Sequence, residues 1–310
     1  MLNFYLTNEE GDLIQEESIK KGSWINMVQP TPEEIECVVS NTKIPMDFVM
    51  DALDNYERSR VERKGDDVLI IIDFPKKEID NFQAEYFKSI PMGIIVTKDY
   101  FVTVCLEESY ILKRFTSGKV LSFTTQRKTR FALQIMQEIT GVFFKGLLLL
   151  EEKNDYLEKN LNKSFENDRF FDMGTIEKSL INFQRSLSST KNVTNKMMRK
   201  IYLTASEEDN EILADLIVEI DQALGMAEDH SNIIGSMRDI YAAVISNNMN
   251  EVMKTWTLFT IVLTAPTLVF SFYGMNVPLP FMSSPVGWVI TLVLSLIFGV
   301  IFRWILIKKH

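Results

Sequence analysis

The sequence predicts an α+β cytoplasmic domain with an α/β sandwich-like core, then long helices, then a two-helix transmembrane hairpin. Three observations carry this. Strand-like runs gather in the first 125 residues, no proline falls between Pro91 and Pro266, and no Asp, Glu, Lys or Arg falls between Lys254 and Arg303. The average composition, 46% hydrophobic and 24% charged, hides that division. A chain of 310 residues is long enough for a soluble core plus a membrane part.

Residues 1–125 form the expected α/β domain. Val68–Phe74, Ile90–Val96 and Tyr100–Leu106 are rich in β-branched and aromatic residues and read as strands. Thr31-Pro32-Glu33-Glu34 opens a helix, with Thr at the cap, Pro in the first helical position and Glu three residues after the cap. A short helix is expected over Met46–Leu53. Gly65-Asp66-Asp67 marks a hairpin turn between Arg58–Arg63 and the Val68 strand.

Residues 126–254 change character, with charged helix formers and no proline. The pattern predicts helices over about 128–163, 168–202 and 207–275. Gly141–Leu150 is apolar but short and interrupted by Lys145, which suits a buried core helix rather than a span. Ser206 caps the third helix, and Glu207, Glu208 and Asp209 place negative charge on its positive end. Ile212, Leu216, Ile220, Leu224, Ala227 and Ile234 then recur at helical spacing. Gly225 and Gly235 weaken that helix by about 1 kcal/mol each relative to Ala. At 1.5 Å per residue it would be on the order of 100 Å long.

The uncharged stretch suits two spans, one over 255–275 and one over 288–307, joined by an external loop over 276–287 and followed by a basic tail over 308–310. Trp256, Tyr273, Trp288 and Trp304 fall near the expected interfaces. Lys254 precedes the first span, and Arg303, Lys308 and Lys309 end the second, while the connection carries no charge. The positive-inside rule therefore places both termini in the cytoplasm and the loop outside. The start, MLNFYLTNEEGDLIQEE, lacks a basic stretch followed by an apolar one, so no cleavable signal is expected. The expected location is the cell membrane, plasma or inner, as a multi-pass protein.

Several function classes drop out. A net charge of −9 argues against nucleic acid as a partner, since phosphate binding needs a basic face. Cys37 and Cys105 form no C-x-x-C pair and the chain has only His230 and His310, so no structural zinc site is expected. No P-loop, G-x-S-x-G or HExxH is present, and the chain is not expected to be an enzyme.

The first span carries Thr257, Thr260, Thr264, Thr267 and Ser271, separated by 3, 4, 3 and 4 residues, which puts five hydroxyls on one helical face. Met253 and Asn250 extend this stripe toward the cytoplasm. Such hydroxyls either line an aqueous path or bond their own backbone and neighbouring helices. The second span holds Thr291 and Ser295, is otherwise apolar, and reads as lipid-facing. Two helices cannot enclose a path, so a pore here needs several copies with closed symmetry.

The first span ends in Tyr273-Gly274-Met275-Asn276, after a long helix and the run Asn250-Glu251-Val252-Met253-Lys254. This resembles the two-span G-M-N signature of the CorA family of magnesium channels. The resemblance implies a homopentameric funnel in the lipid bilayer. The first span would line the pore through Asn250, Met253, Thr257, Thr260, Thr264, Thr267 and Ser271, and Gly274, Met275 and Asn276 would form the selectivity filter. It implies Mg²⁺ as both transported and regulatory ion, moving down its electrochemical gradient. Two positions match the family's regulatory carboxylates, Asp51 and Asp215, which would hold cytosolic Mg²⁺ between subunits and keep the pore shut. Relatives with related signatures carry Zn²⁺, Co²⁺ or Ni²⁺, the alternative ions; Met275 in the signature favours Mg²⁺. A non-conducting, membrane-anchored Mg²⁺ sensor or scaffold is the rival from another class. The chain departs from the family in its external loop, Val277-Pro278-Leu279-Pro280-Phe281-Met282-Ser283-Ser284-Pro285, which lacks the acidic residue family members commonly carry there. Phe281 and Met282 are expected to pack at the mouth instead.

Overall fold

The computed structural model describes residues 1–80, 83–120, 122–159, 167–199, 202–203, 206–277, 280 and 285–308. They fall into two compact units, Met1–Arg238 and Asp239–His310.

The first unit is built on a seven-stranded mixed sheet. Its strands are β1 (Leu2–Thr7), β2 (Leu13–Glu16), β3 (Trp24–Val28), β4 (Arg60–Lys64), β5 (Asp67–Ile79), β6 (Glu85–Val96) and β7 (Phe101–Cys105), in the order β2-β1-β3-β7-β6-β5-β4. Only β3 and β7 run parallel; the other pairs are antiparallel. The expected hairpin is present, with Gly65 at φ +63 between Lys64 and its partner Asp67, where a short turn requires a left-handed residue.

Helices α1 (Pro32–Thr42) and α2 (Met46–Ala52) follow as expected, and α1 starts in a full capping box between Thr31 and Glu34. They cover one face of the sheet, where Ile35, Val38, Phe48 and Val49 pack with Leu69, Ile71, Ile95, Val102 and Val104. Gly93 makes this possible, because a Cβ there would stand 2.3 Å from the Ala52 Cβ. Trp24 and Phe101, alternating with those positions, point to the opposite face and contact Phe131 of α4 (Lys128–Lys159), with ring centroids 5.0 and 4.1 Å away. The short α3 (Tyr110–Thr116) adds Phe115 to that cluster.

Strands β5 and β6 run on beyond the runs read from sequence, β5 through Pro75 and β6 back from Ile90 to Glu85, with Pro91 already inside the run read as a strand. The register explains this. Beyond Ile71 strand β5 has no β4 partner, and before Met92 strand β6 has no β7 partner. The extension is a two-stranded ribbon whose outer edges need no proline N–H. Pro75 pairs with Ser89 and Asp73 with Pro91, two steps apart, so both prolines occupy pairs whose amides point outward. Phe87 has the same parity, and α5 (Asn167–Arg199) satisfies its outward backbone: Phe87 N–H donates to Ser179 Oγ at 3.0 Å, and Asn182 Nδ2 donates to the Phe87 carbonyl at 2.8 Å. Ser186 of α5 donates to buried Asp73 at 2.8 Å. Burial pushes the Asp73 carboxyl above its ordinary value, and the Ser186 bond and Arg185 offset part of that.

Helix α6 spans Glu207–Tyr273 and contains Pro266. Ser206 caps it as expected, accepting from the Asp209 amide while its own amide donates to the Asp209 carboxylate. Arg130 of α4 donates to Asp209 and Glu208, at 2.7 and 2.6 Å. The helix stops two residues short of the expected 275, leaving Gly274 and Met275 outside it; the expected α5 end at 202 is not helical, and 200 and 201 lie outside the described residues. The apolar stretch of α4 is half-buried, as expected of a core helix: Phe143, Leu147 and Leu150 are inside. The second unit holds the end of α6, with an apolar stretch long enough to cross a bilayer, and α7 (Gly287–Lys308), 22 residues long.

Candidate functional site: a hydroxyl-lined helix face

On the first span, Thr257, Thr260, Thr264, Thr267 and Ser271 are all exposed in the chain. The opposite side is covered: Val269 is 7% exposed, and Leu258, Ile261, Val262, Pro266 and Tyr273 are half-buried. At about 100° per residue the centres of the two faces lie about half a turn apart. Asn250 and Met253 are exposed and continue the hydroxyl face by the same count.

Four of the hydroxyls bond their own helix one turn back. Thr257 donates to the Met253 carbonyl at 2.8 Å, Thr260 to Trp256 at 2.9 Å, Thr264 to Thr260 at 2.8 Å and Thr267 to Leu263 at 3.0 Å. Each spends its only proton on the backbone. What remains on the outward side is oxygen lone pairs, a column of acceptors with no charge.

The second span corrects its expected all-lipid-facing character. Thr291 and Ser295 are 9% and 4% exposed, Gly287 is buried and Gly299 half-buried, so four small residues spaced by four form one covered face. Leu292, Val293, Leu296, Ile297 and Val300 point out. Small residues at this spacing let two membrane helices approach closely. The covered faces of the two spans lie in one compact unit, and the hydroxyl face is not among the covered ones. The signal was legible as Gly287-x-x-x-Thr291-x-x-x-Ser295-x-x-x-Gly299 and was missed because the span reads as uniformly apolar.

At the end of α6, the Gly274 amide donates to the Phe270 carbonyl at 2.9 Å and the Met275 amide to Phe272 at 3.4 Å. Gly274 does not adopt a positive φ. Asn276 is exposed, and its side-chain amide has no partner among the described residues, so it does not cap the helix from within it. Phe281, Met282 and most of the basic tail lie outside the described residues.

Asp51 stands at the end of α2, about one-third exposed, and accepts from Arg60 at 2.7 Å. Arg60 also bonds Glu57, and Glu62 at 3.4 Å, so one guanidinium serves three carboxylates. Asp215 is exposed on α6. One turn on, burial and the Asp215 charge raise the Glu219 carboxyl above its ordinary value. Among the described residues no three His, Cys, Asp or Glu side chains converge as a metal site within one chain.

The family profile described as CorA-like Mg2+ transporter protein matches residues 20–309. The cobalt/magnesium transport protein CorA of Methanocaldococcus jannaschii is 26% identical over 91% of this chain and 89% of its own length. The magnesium transport protein CorA of Helicobacter pylori is 21% identical over 82% and 79%. The complete structure of the M. jannaschii protein superposes with a TM-score of 0.81 at 23% identity, over 98% of this chain and 96% of that one. A mixed α/β sheet domain, long helices and two terminal apolar helices are thus shared from end to end, and the chain belongs to the family of CorA-like Mg2+ transporter proteins.

Proposed function

We propose that this chain is the subunit of a homopentameric divalent-cation channel, carrying Mg²⁺ first and Co²⁺ second, with the hydroxyl face of α6 lining the path. The observation that carries the reading is the placement of that face: exposed, uncharged, rich in acceptors and about half a turn from the covered side of the same helix. Mg²⁺ gives up its waters reluctantly. A hydrated ion presents water hydrogens outward, and a column of lone pairs accepts them without a fixed charge that would trap the ion. Co²⁺ comes second because the M. jannaschii relative is named for both metals.

Asn276 forms the outer ring of the filter with Gly274 and Met275; its side-chain amide, exposed and without a partner among the described residues, is offered to ion-bound water. The membrane potential drives a divalent ion inward with about 4.6 kcal/mol per 100 mV, twice the single-charge value. Asp51 and Asp215 hold regulatory Mg²⁺ between neighbouring copies. Support for an intersubunit site is the lack of a three-ligand cluster among the described residues of one chain. Asp51 must exchange Arg60 for the ion or share its free oxygen, so Arg60 sets how readily the site fills. Without the ion, facing carboxylates repel and loosen the interface.

The backbone bonds of the threonines also suit a packing helix in a non-conducting anchor. Uptake of Mg²⁺ into liposomes holding a Mg²⁺-sensitive dye separates the two. The channel predicts uptake that falls or loses selectivity with Asn276→Ala. Well-folded protein that passes neither Mg²⁺ nor Co²⁺ supports the anchor.

A further inference from the structure

The chain is acidic overall, and most cations of its first unit are held by carboxylates, as Arg60, Arg130, Lys191 and Arg238 are. Arg58, Lys196 and Arg199 differ. None has a hydrogen-bond or ion-pair partner among the described residues, yet all three line one cavity of about 470 Å³. The cavity lies between the segment ahead of β4 and the last third of α5. Ser189, Asn192 and Asn195 complete the α5 side, on one helical face with Lys196 and Arg199, and their side chains are likewise unpartnered among the described residues. No acidic, aromatic or aliphatic side chain lines it among the described residues.

Positive charge in the last turn of a helix has an ordinary cause, the negative end of the helix dipole. That cause covers Lys196 and Arg199. It does not cover Arg58, which reaches the cavity from a different segment. Nor does it cover Ser59, which also lines the cavity and whose Oγ is buried with no hydrogen-bond partner. A buried hydroxyl without a partner costs roughly 1–3 kcal/mol. Three positive charges around one cavity repel one another, and an anion between them relieves that repulsion.

We propose that this cavity binds a soluble, phosphate-bearing anion. Guanidinium forks, an ammonium, amide donors and hydroxyls are the groups that recognise phosphate oxygens, and two arginines match them in pairs. The absence of any apolar wall among the described residues restricts recognition to the phosphates themselves, so the site selects for charge density rather than for an attached ring. The site is separate from the hydroxyl face, and its occupancy does not depend on whether the chain conducts.

The test is a ³¹P NMR titration of inorganic pyrophosphate with the full-length, metal-depleted protein in zwitterionic detergent. Saturable line broadening is expected, weakened about tenfold by Arg58→Ala and by Arg199→Ala. Three results overturn the proposal: no saturable binding by wild type; binding unchanged in both arginine variants; or a change of oligomer size in those variants, which assigns the cavity to a second copy. A last arm compares protein in phosphatidylcholine and in phosphatidic acid nanodiscs. Loss of pyrophosphate binding only in phosphatidic acid assigns the cavity to a lipid headgroup and also overturns it.

Discussion

In Met1–Arg238 a core of large apolar side chains is inside: Trp24, Phe48, Phe101, Phe131 and Phe183 are fully buried. In Asp239–His310 they are outside: Trp256, Leu268, Trp288 and Val300 are each more than 60% exposed, while Thr291 and Ser295 are covered. One chain thus follows two opposite burial rules. Water drives the first unit, so apolar area leaves the surface. Lipid surrounds the second, where an exposed leucine gains nothing by burial and close approach of backbones decides packing. The inversion is the most direct physical sign of the membrane in the fold, and it can be tested residue by residue.

The largest effect belongs to the water-driven core. Trp24→Ala removes a ring that contacts Phe131 and Tyr5 and an indole N–H that donates to Thr103 at 2.8 Å. A loss of about 3–5 kcal/mol is expected in denaturant unfolding. Gly93→Ala in the same unit drives a methyl into Ala52 and is expected to cost about 1–3 kcal/mol. Adjacent residues on α7 test the second rule. Ser295→Leu should cost about 1–3 kcal/mol of hairpin stability in bilayers by overpacking the covered face, whereas Leu296→Ala should change it by less than about 0.5 kcal/mol. A soluble-type core would give the reverse order.

The smallest effect is a pH dependence. Asp73 has a folded-state pKa raised by burial, so the folded state binds more protons than the unfolded one between the two values. Stability contributed by its neutral form is present at low pH and lost as pH rises through the raised pKa. Asp73→Asn, which keeps an oxygen to accept from Ser186, should flatten that part of the stability–pH curve and raise stability at neutral pH. A slope unchanged by the substitution would assign the pH dependence to another group.

Those local signals that rest on one chain segment were legible in the sequence. The capping box at Thr31, the Ser206 cap, the Gly65 turn and the hydroxyl stripe all depend on spacing alone. Strands β1, β2 and β3 escaped because Leu2–Thr7 and Leu13–Glu16 are short and half-exposed, and their identity comes from pairing with one another and with β7. The β5 half of the ribbon escaped because Pro75 argues against a continuing strand until the register shows that no third strand is there. The covered face of α7 escaped because small residues within an apolar run leave no hydrophobic period. The roles given to Asp51, Asp215 and Asn276 rest on resemblance, since a site made between copies would leave no pattern within one chain.

The central claim is that the Thr257–Ser271 face meets water and ions. Single cysteines at Thr260, Thr264 and Thr267, and for contrast at Val262 and Val269, test it in a Cys37→Ser background reconstituted in liposomes; Cys105 is fully buried and stays. A membrane-impermeant, water-borne thiol reagent should modify the three stripe positions and block Mg²⁺ uptake there, leaving Val262 and Val269 unreacted. Equal reaction on both faces, or modification of the stripe with uptake unchanged, would contradict the claim and make the hydroxyl face a packing surface.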